Sequence, residues 1–177
     1  MITVTSLSRP PAAAAASASV AAEARVCTRA TGETAVYACR RALELGLPVA
    51  RQPAIEIALA VRLADLARWD EVVEVYRGAV SRRPSDAAAR VRLGAALLDM
   101  QGRPADAELE LREATRLRPD DPESHLRLGD ALARLGRAPE AVAEFEEALR
   151  LDPTALDRRP AARAAFDAAR RGEPWPK

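Results

Sequence analysis

Between residues 122 and 155 apolar and small residues recur every three or four positions, in two runs. His125, Leu128, Gly129 and Leu132 share one face of the first run; Ala141, Phe145 and Ala148 share one face of the second, which closes at Pro153. Such spacing predicts two amphipathic helices packed antiparallel. Residues 87–121 repeat the order with Arg90, Leu93, Gly94, Leu97, Ala107, Leu111, Ala114 and Pro119. A looser version, Glu56, Leu59, Ala60, Leu63, Val72, Tyr76, Ala79 and Pro84, occupies residues 53–86. The closing prolines Pro84, Pro119 and Pro153 therefore fall 35 and 34 residues apart. A unit of that length cannot bury its own apolar face, so the pattern predicts an all-α stack of helix-turn-helix units.

The unit at 87–121 is one residue longer than the next. Gly102 precedes Ala107 by the same interval as Gly136 precedes Ala141, which puts the extra residue between Leu97 and Gly102, at the Gln101 turn. Gly129 and Ala141 are expected where the two helices cross, since a larger side chain there would push them apart. Phe145 is expected to fill the gap to the following unit. In residues 53–86, Asp70 is expected to cap the second helix, with Trp69 stapling the turn.

The flanks are weaker. Residues 18–52 read as a degenerate half-unit: Thr31 to Gly46 forms a second-type helix carrying Ala35, Cys39 and Ala42, while the preceding stretch from Ser17 to Ala30 lacks the leucines of a packed helix. Residues 156–172 read as a capping helix, with Pro160 in its first turn, an Ala162, Phe166 and Ala169 stripe, and Gly172 as its stop. Residues 1–17 are expected to be a flexible or signal-like tail, and residues 173–177 a loose one.

Composition adds exclusions. The 177 residues hold 27 Lys and Arg against 26 Asp and Glu, a net charge of +1 that gives no ground for a nucleic-acid partner. Aromatic residues make up 3%, so alanine carries much of the apolar fraction and small side chains should let helices approach closely. No run of about 18 strongly apolar residues occurs, which argues against a membrane-spanning helix. The alanine-rich stretch Ala12 to Ala22, with Ala16-Ser17-Ala18, could be a signal with a small-residue cleavage site or a simple tail.

Leu-Gly on the first helix, followed by Ala, Phe, Ala and a closing Pro on the second, resembles the tetratricopeptide repeat family, bacterial type. His125 and Leu132 stand where that family usually has aromatic residues. The resemblance covers about residues 31 to 155, and it implies a right-handed α-solenoid whose concave face is lined by the first helix of each repeat. Projected onto that face are Ile57, Val61 and Asp65, then Val91, Ala95 and Asp99, then Leu126, Asp130 and Arg134, a row apolar along one edge and acidic along the other. Glu123, Asp86, Asp120 and Asp121 would extend the negative rim. Relatives that clamp a peptide carboxylate place Lys, Asn and Arg where this chain has Ile57, Val61, Val91, Ala95 and Leu126, so that mode is disfavoured.

The expected function is then a non-enzymatic adaptor or scaffold that binds an apolar or amphipathic protein segment carrying some basic residues during complex assembly. Two alternatives stand beside it: an ordinary face partly packed on neighbouring helices, and a structural subunit of a larger envelope or membrane-associated assembly. No cofactor or metal is expected. His125 is the one histidine, in a packing position, and no Gly-rich phosphate loop or nucleophile motif is present. Cys27 and Cys39 admit two readings, a disulfide that ties the weak first helix to the next, or a buried Cys39 at the position of Tyr76, Leu111 and Phe145 with Cys27 merely nearby. A cytoplasmic location is expected, with export as the alternative if the N-terminus is a signal and the cysteines are bonded. The cysteine-bearing opening resembles that of some exported bacterial repeat proteins.

Overall fold

The computed structural model describes residues 12–173, with side chains from Ala18 onward. Expectations for residues 1–11 and 174–177 lie outside the described residues. The elements are α1 (Ala12–Arg29), α2 (Gly32–Glu44), a short 3-10 turn (Val49–Arg51), α3 (Gln52–Asp65), α4 (Trp69–Arg82), α5 (Ala87–Asp99), α6 (Pro104–Leu117), α7 (Pro122–Arg134), α8 (Ala138–Leu151) and α9 (Pro160–Arg170). Among the described residues there is no strand. Two compact units divide the chain, the first ending at Arg68 and the second starting at Trp69.

In the second unit each helix packs on the next, α4 on α5 and so on to α9, with α7 also touching α5 and α9. The helix starts are capped by side chains where the sequence supplies them. Asp86 accepts the Ala89 N–H at 3.1 Å and Asp121 accepts the Ser124 N–H at 3.2 Å, each satisfying a backbone donor that the first turn leaves without a partner. Asp70 departs from the expected role: α4 begins at Trp69, so Asp70 lies inside the first turn and accepts from Gln101 Nε2 at 2.7 Å instead.

The first helices of the repeats end by one device. After α7, Gly136 adopts φ 75° while its N–H meets the Ala133 carbonyl and the Arg137 N–H meets the Leu132 carbonyl at 2.9 Å. Between α5 and α6 there are four linking residues, Met100 to Arg103, against three between α7 and α8. There the Arg103 N–H reaches the Leu97 carbonyl at 2.9 Å, and Gly102 takes the positive φ of 58°.

The helix crossings are set by glycine. Gly129 lies under the Phe145 ring and Gly94 under the Leu111 side chain. Leu93, Gly94, Ala107, Leu128, Gly129, Ala141 and Phe145 are buried, whereas Pro119 and Pro153 are exposed at the junctions. Phe145 in turn meets Phe166 of α9 edge-on, with centroids 5.5 Å apart. Burying such a ring stabilises by about 2–3 kcal/mol, and the edge-on pair adds about 0.5–1.5 kcal/mol.

In the first unit α1 packs on α2 and α3, and α2 on α3. Helix α1 starts at Ala12, inside the stretch expected to be a tail. Its buried stripe is only Val20, Ala24 and Cys27, an area too small to hold a helix by itself. Cys27 and Cys39 are joined as a disulfide between α1 and α2, both fully buried, so the cysteine pair supplies what the missing leucines do not. Arg68 Nη1 donates to both carboxylate oxygens of Glu33 at 2.8 Å, tying the unit's end to the start of α2.

Candidate functional site

The first helices of the repeats carry the residues expected on the binding face, and their burial separates them. In the first unit Val61 is 47% exposed, Ile57 is half-buried, and Asp65 is exposed with its carboxylate 3.4 Å from Arg62. In the second unit Ala95 and Arg134 are half-buried and Asp99 is exposed, but Val91, Leu126 and Asp130 are buried. The apolar strip expected there is not open: Leu126 is only 1% exposed, at the base of the loop that leads to α9.

The acidic border is not free either. Asp99 of α5 accepts from two residues of α7, Arg127 Nη1 at 2.7 Å and Arg134 Nη2 at 3.3 Å, and Arg134 Nη1 also donates to the Leu98 carbonyl at 2.8 Å. Glu123 accepts from Arg127 Nε at 3.0 Å and from Arg159 Nη2 at 2.5 Å. Asp86 is occupied by its cap and by Arg83 at 3.1 Å, and Asp121 by its cap and the Ser124 hydroxyl. Of the expected rim in this unit, Asp120 is the exposed acid left at the junction. The negative field that would steer a basic partner is therefore largely cancelled at contact distance.

Asp130 stands inside this network without joining it. It is 6% exposed, its Oδ1 is enclosed with no hydrogen-bond partner among the described residues, and burial pushes its carboxyl up to about 6 against the opposing pull of Arg134 and Arg127. A buried carboxylate lacking hydrogen bonds costs free energy in its charged form.

Beside this network α7 and the loop leading to α9 enclose a depression of about 440 Å³ lined by Pro122, Glu123, Leu126, Asp152, Thr154, Ala155, Arg158 and Arg159. Its wall is mixed in charge. Asp152 accepts from the Thr154 N–H at 2.9 Å and from the Thr154 hydroxyl at 2.8 Å, which folds the loop into an Asx turn, and the same bonds hold the Asp152 carboxyl below its usual value. Arg158 is exposed at the lip.

His125 ties three elements together. Nδ1 lies 2.7 Å from Glu144 of α8 and Nε2 lies 3.0 Å from the Pro119 carbonyl that ends the preceding unit. Arg90, one repeat earlier, does the same with Glu110 at 2.6 Å and the Pro84 carbonyl at 2.8 and 3.0 Å. The family's aromatic position is thus a polar fastener in both repeats. Neither Arg127 nor Arg159 was among the candidate residues. Arg127 stands on α7, 28 residues from Asp99, and Arg159 just before α9, 36 residues from Glu123, so neither pairing follows from the spacing within one helix.

Among the described residues no three His, Cys, Asp or Glu side chains gather as metal ligands would, and no helix is long and apolar enough to cross a membrane.

Comparisons with known proteins carry the repeat pattern further. No curated protein sequence matches the chain. Among solved structures, YrrB, described as a TPR protein with an unusual peptide-binding site, superposes with a TM-score of 0.64 at 19% identity, over 84% of this chain and 76% of its own. MamA residues 41 to the end from Desulfovibrio magneticus RS-1 gives 0.64 at 19% identity, over 89% and 92%. TTC0263, a thermophilic TPR protein of Thermus thermophilus, gives 0.58 at 21% identity, over 87% and 80%. These likenesses establish the α-solenoid fold. The tetratricopeptide repeat family model matches residues 57–122 and 99–155, more than half of the chain. The chain belongs to the tetratricopeptide repeat family, whose fold serves in general as a scaffold for protein-protein interaction.

Proposed function

We propose that the chain is a non-enzymatic adaptor that holds a protein segment against the first helices of its repeats and so helps assemble a complex, with neither nucleic acid nor cofactor involved. The observation that carries this reading is the depression between α7 and the loop before α9, whose polar wall offers both signs of charge over Leu126. Because Val91 and Leu126 are buried in this unit and Asp99 and Glu123 are paired with arginines, recognition there rests on hydrogen bonds and local charge pairs more than on apolar burial. Binding through so small a surface is modest and reversible.

The test is affinity capture with the full chain and two variants, Arg158→Glu and Thr154→Trp, the second filling the depression. Loss of the same captured partner in both, with unchanged thermal melts, supports the reading; unchanged capture by both removes it.

The bonded cysteine pair favours an oxidising compartment over the cytoplasm. Mass spectrometry of the mature protein from its native source tests this: a chain with free thiols and an intact Met1 refutes export.

A further inference from the structure

Helix α1 turns one side to α2 and α3, and among the described residues of the first unit no other helix packs on its opposite side. Val20, Ala24 and Cys27 make the buried stripe. At 3.6 residues per turn, Ala22, Arg25, Val26 and Arg29 lie diametrically opposite. With Ala30 they line a shallow groove of about 500 Å³. Val26 is 39% exposed, and the two arginines are exposed and make no side-chain hydrogen bond or ion pair among the described residues. This contrasts with the second unit, where the arginines of α7 are engaged by carboxylates. The disulfide at Cys27 holds the helix from behind, so Val26, its immediate neighbour, is fixed facing outward.

We propose that this face of α1 is a docking surface for an acidic amphipathic helix of another protein. An alanine floor lets a second helix approach to about 8–10 Å between axes, and Val26 gives it one apolar knob to pack against. Arg25 and Arg29 are one turn apart, about 6 Å along the axis, a spacing matched by carboxylates four residues apart on a facing helix. Two charge-assisted contacts across a partly dehydrated interface then set orientation. The chain's own first 11 residues contain no Asp or Glu, so they cannot supply these partners. A lipid surface fits less well, because interfacial helices bury Trp, Phe or Leu, whereas this face has alanines and one valine.

The surface belongs to the first unit and is independent of the depression beside α7, so either can fail without the other. The test uses the oxidised full chain and two labelled helical peptides of about twenty residues, long enough to hold helix. One carries Glu pairs at i and i+4 beside an Ala/Leu stripe, and the other has Lys in place of each Glu. Fluorescence anisotropy at low salt should show the Glu peptide binding and the Lys peptide not. The double variant Arg25→Glu/Arg29→Glu should lose about tenfold or more in affinity for the Glu peptide, equivalent to 1.4 kcal/mol, and gain affinity for the Lys peptide. Its melting curve should match that of the parent, since both side chains are exposed.

Equal binding of both peptides, no binding of either, or an unchanged affinity in the double variant overturns the proposal. So does arginine-dependent adsorption to phosphatidylserine-containing vesicles without peptide binding. Sedimentation showing arginine-dependent dimers of the protein alone would assign the face to a second copy and overturn it as well.

Discussion

Gly94 sits so close beneath Leu111 that a β-carbon on it would come within 2.5 Å of the Leu111 Cγ. That atom is a branch point near the backbone, so relief requires the helices themselves to shift. Gly94→Ala should cost about 1–3 kcal/mol. Gly129→Ala should cost less, because the atoms it meets belong to the Phe145 ring at 3.0 Å. Gly78→Ala, facing only the Arg82 guanidinium at 3.2 Å, should instead stabilise by about 0.5–1 kcal/mol through helix propensity. Urea melts of the three variants giving one common effect would contradict the assigned crossings.

Ala67 is the residue outside glycine that adopts a left-handed backbone among the described residues, with φ 56°, and the Arg68 N–H meets the Leu63 carbonyl at 2.9 Å behind it. Gly136 fills the same place after α7. Ala67→Gly should therefore raise stability by about 1 kcal/mol by removing the clash of Cβ with its own backbone. A lower melting temperature in this variant would refute the strain.

Asp130 should make the fold more stable in mild acid. Burial raises its folded value to about 6 from an ordinary 3.8, so between those limits the folded chain holds a proton that the unfolded chain has lost. Stability contributed by this group is greatest below about pH 4, falls as pH rises towards 6 and is flat above. Asp130→Asn should remove that slope and stabilise the protein at pH 7 by on the order of 1–3 kcal/mol. The readout is denaturant stability from pH 4 to 8, and an unchanged slope in the variant would place the titration elsewhere.

Cys27 and Cys39 are 12 residues apart in the chain. Closing a loop of that size restricts the unfolded state and contributes about 2–3 kcal/mol. The double variant Cys27→Ala/Cys39→Ala should lose that much from the first unit, seen as faster amide exchange in α1 and α2 with α7 and α8 unaffected.

Arg90 shows that the position of His125 accepts a guanidinium. His125→Arg should keep the tie to Glu144 and to the Pro119 carbonyl and remain near parental stability, whereas His125→Ala should lose about 1–2 kcal/mol. Equal losses in both would mean that ring packing, and not the hydrogen bonds, secures the position.

The repeat positions were legible because they answer to local rules. Gly129 and Phe145 meet at the crossing of α7 and α8, and Gly94 and Leu111 at that of α5 and α6, so there a period in sequence is a contact in space. The binding face was less legible. Val91 and Leu126 occupy first-helix positions that a bare projection places outward, but burial there depends on what lies across the helix, and Leu126 lies against the loop before α9. The pairing of Asp99 and Glu123 was not legible, because Arg127 and Arg159 sit 28 and 36 residues away, on α7 and before α9.

By itself the sequence determined the helices of the repeats, their order, the longer turn near Gln101 and the family, since each follows from short-range spacing and turn chemistry. Tertiary structure alone decided which of two cysteine readings holds, which carboxylates are neutralised and which face of α1 stays bare. These depend on distances between residues far apart in the chain, and a side chain's charge or burial is a property of its neighbours as much as of its type.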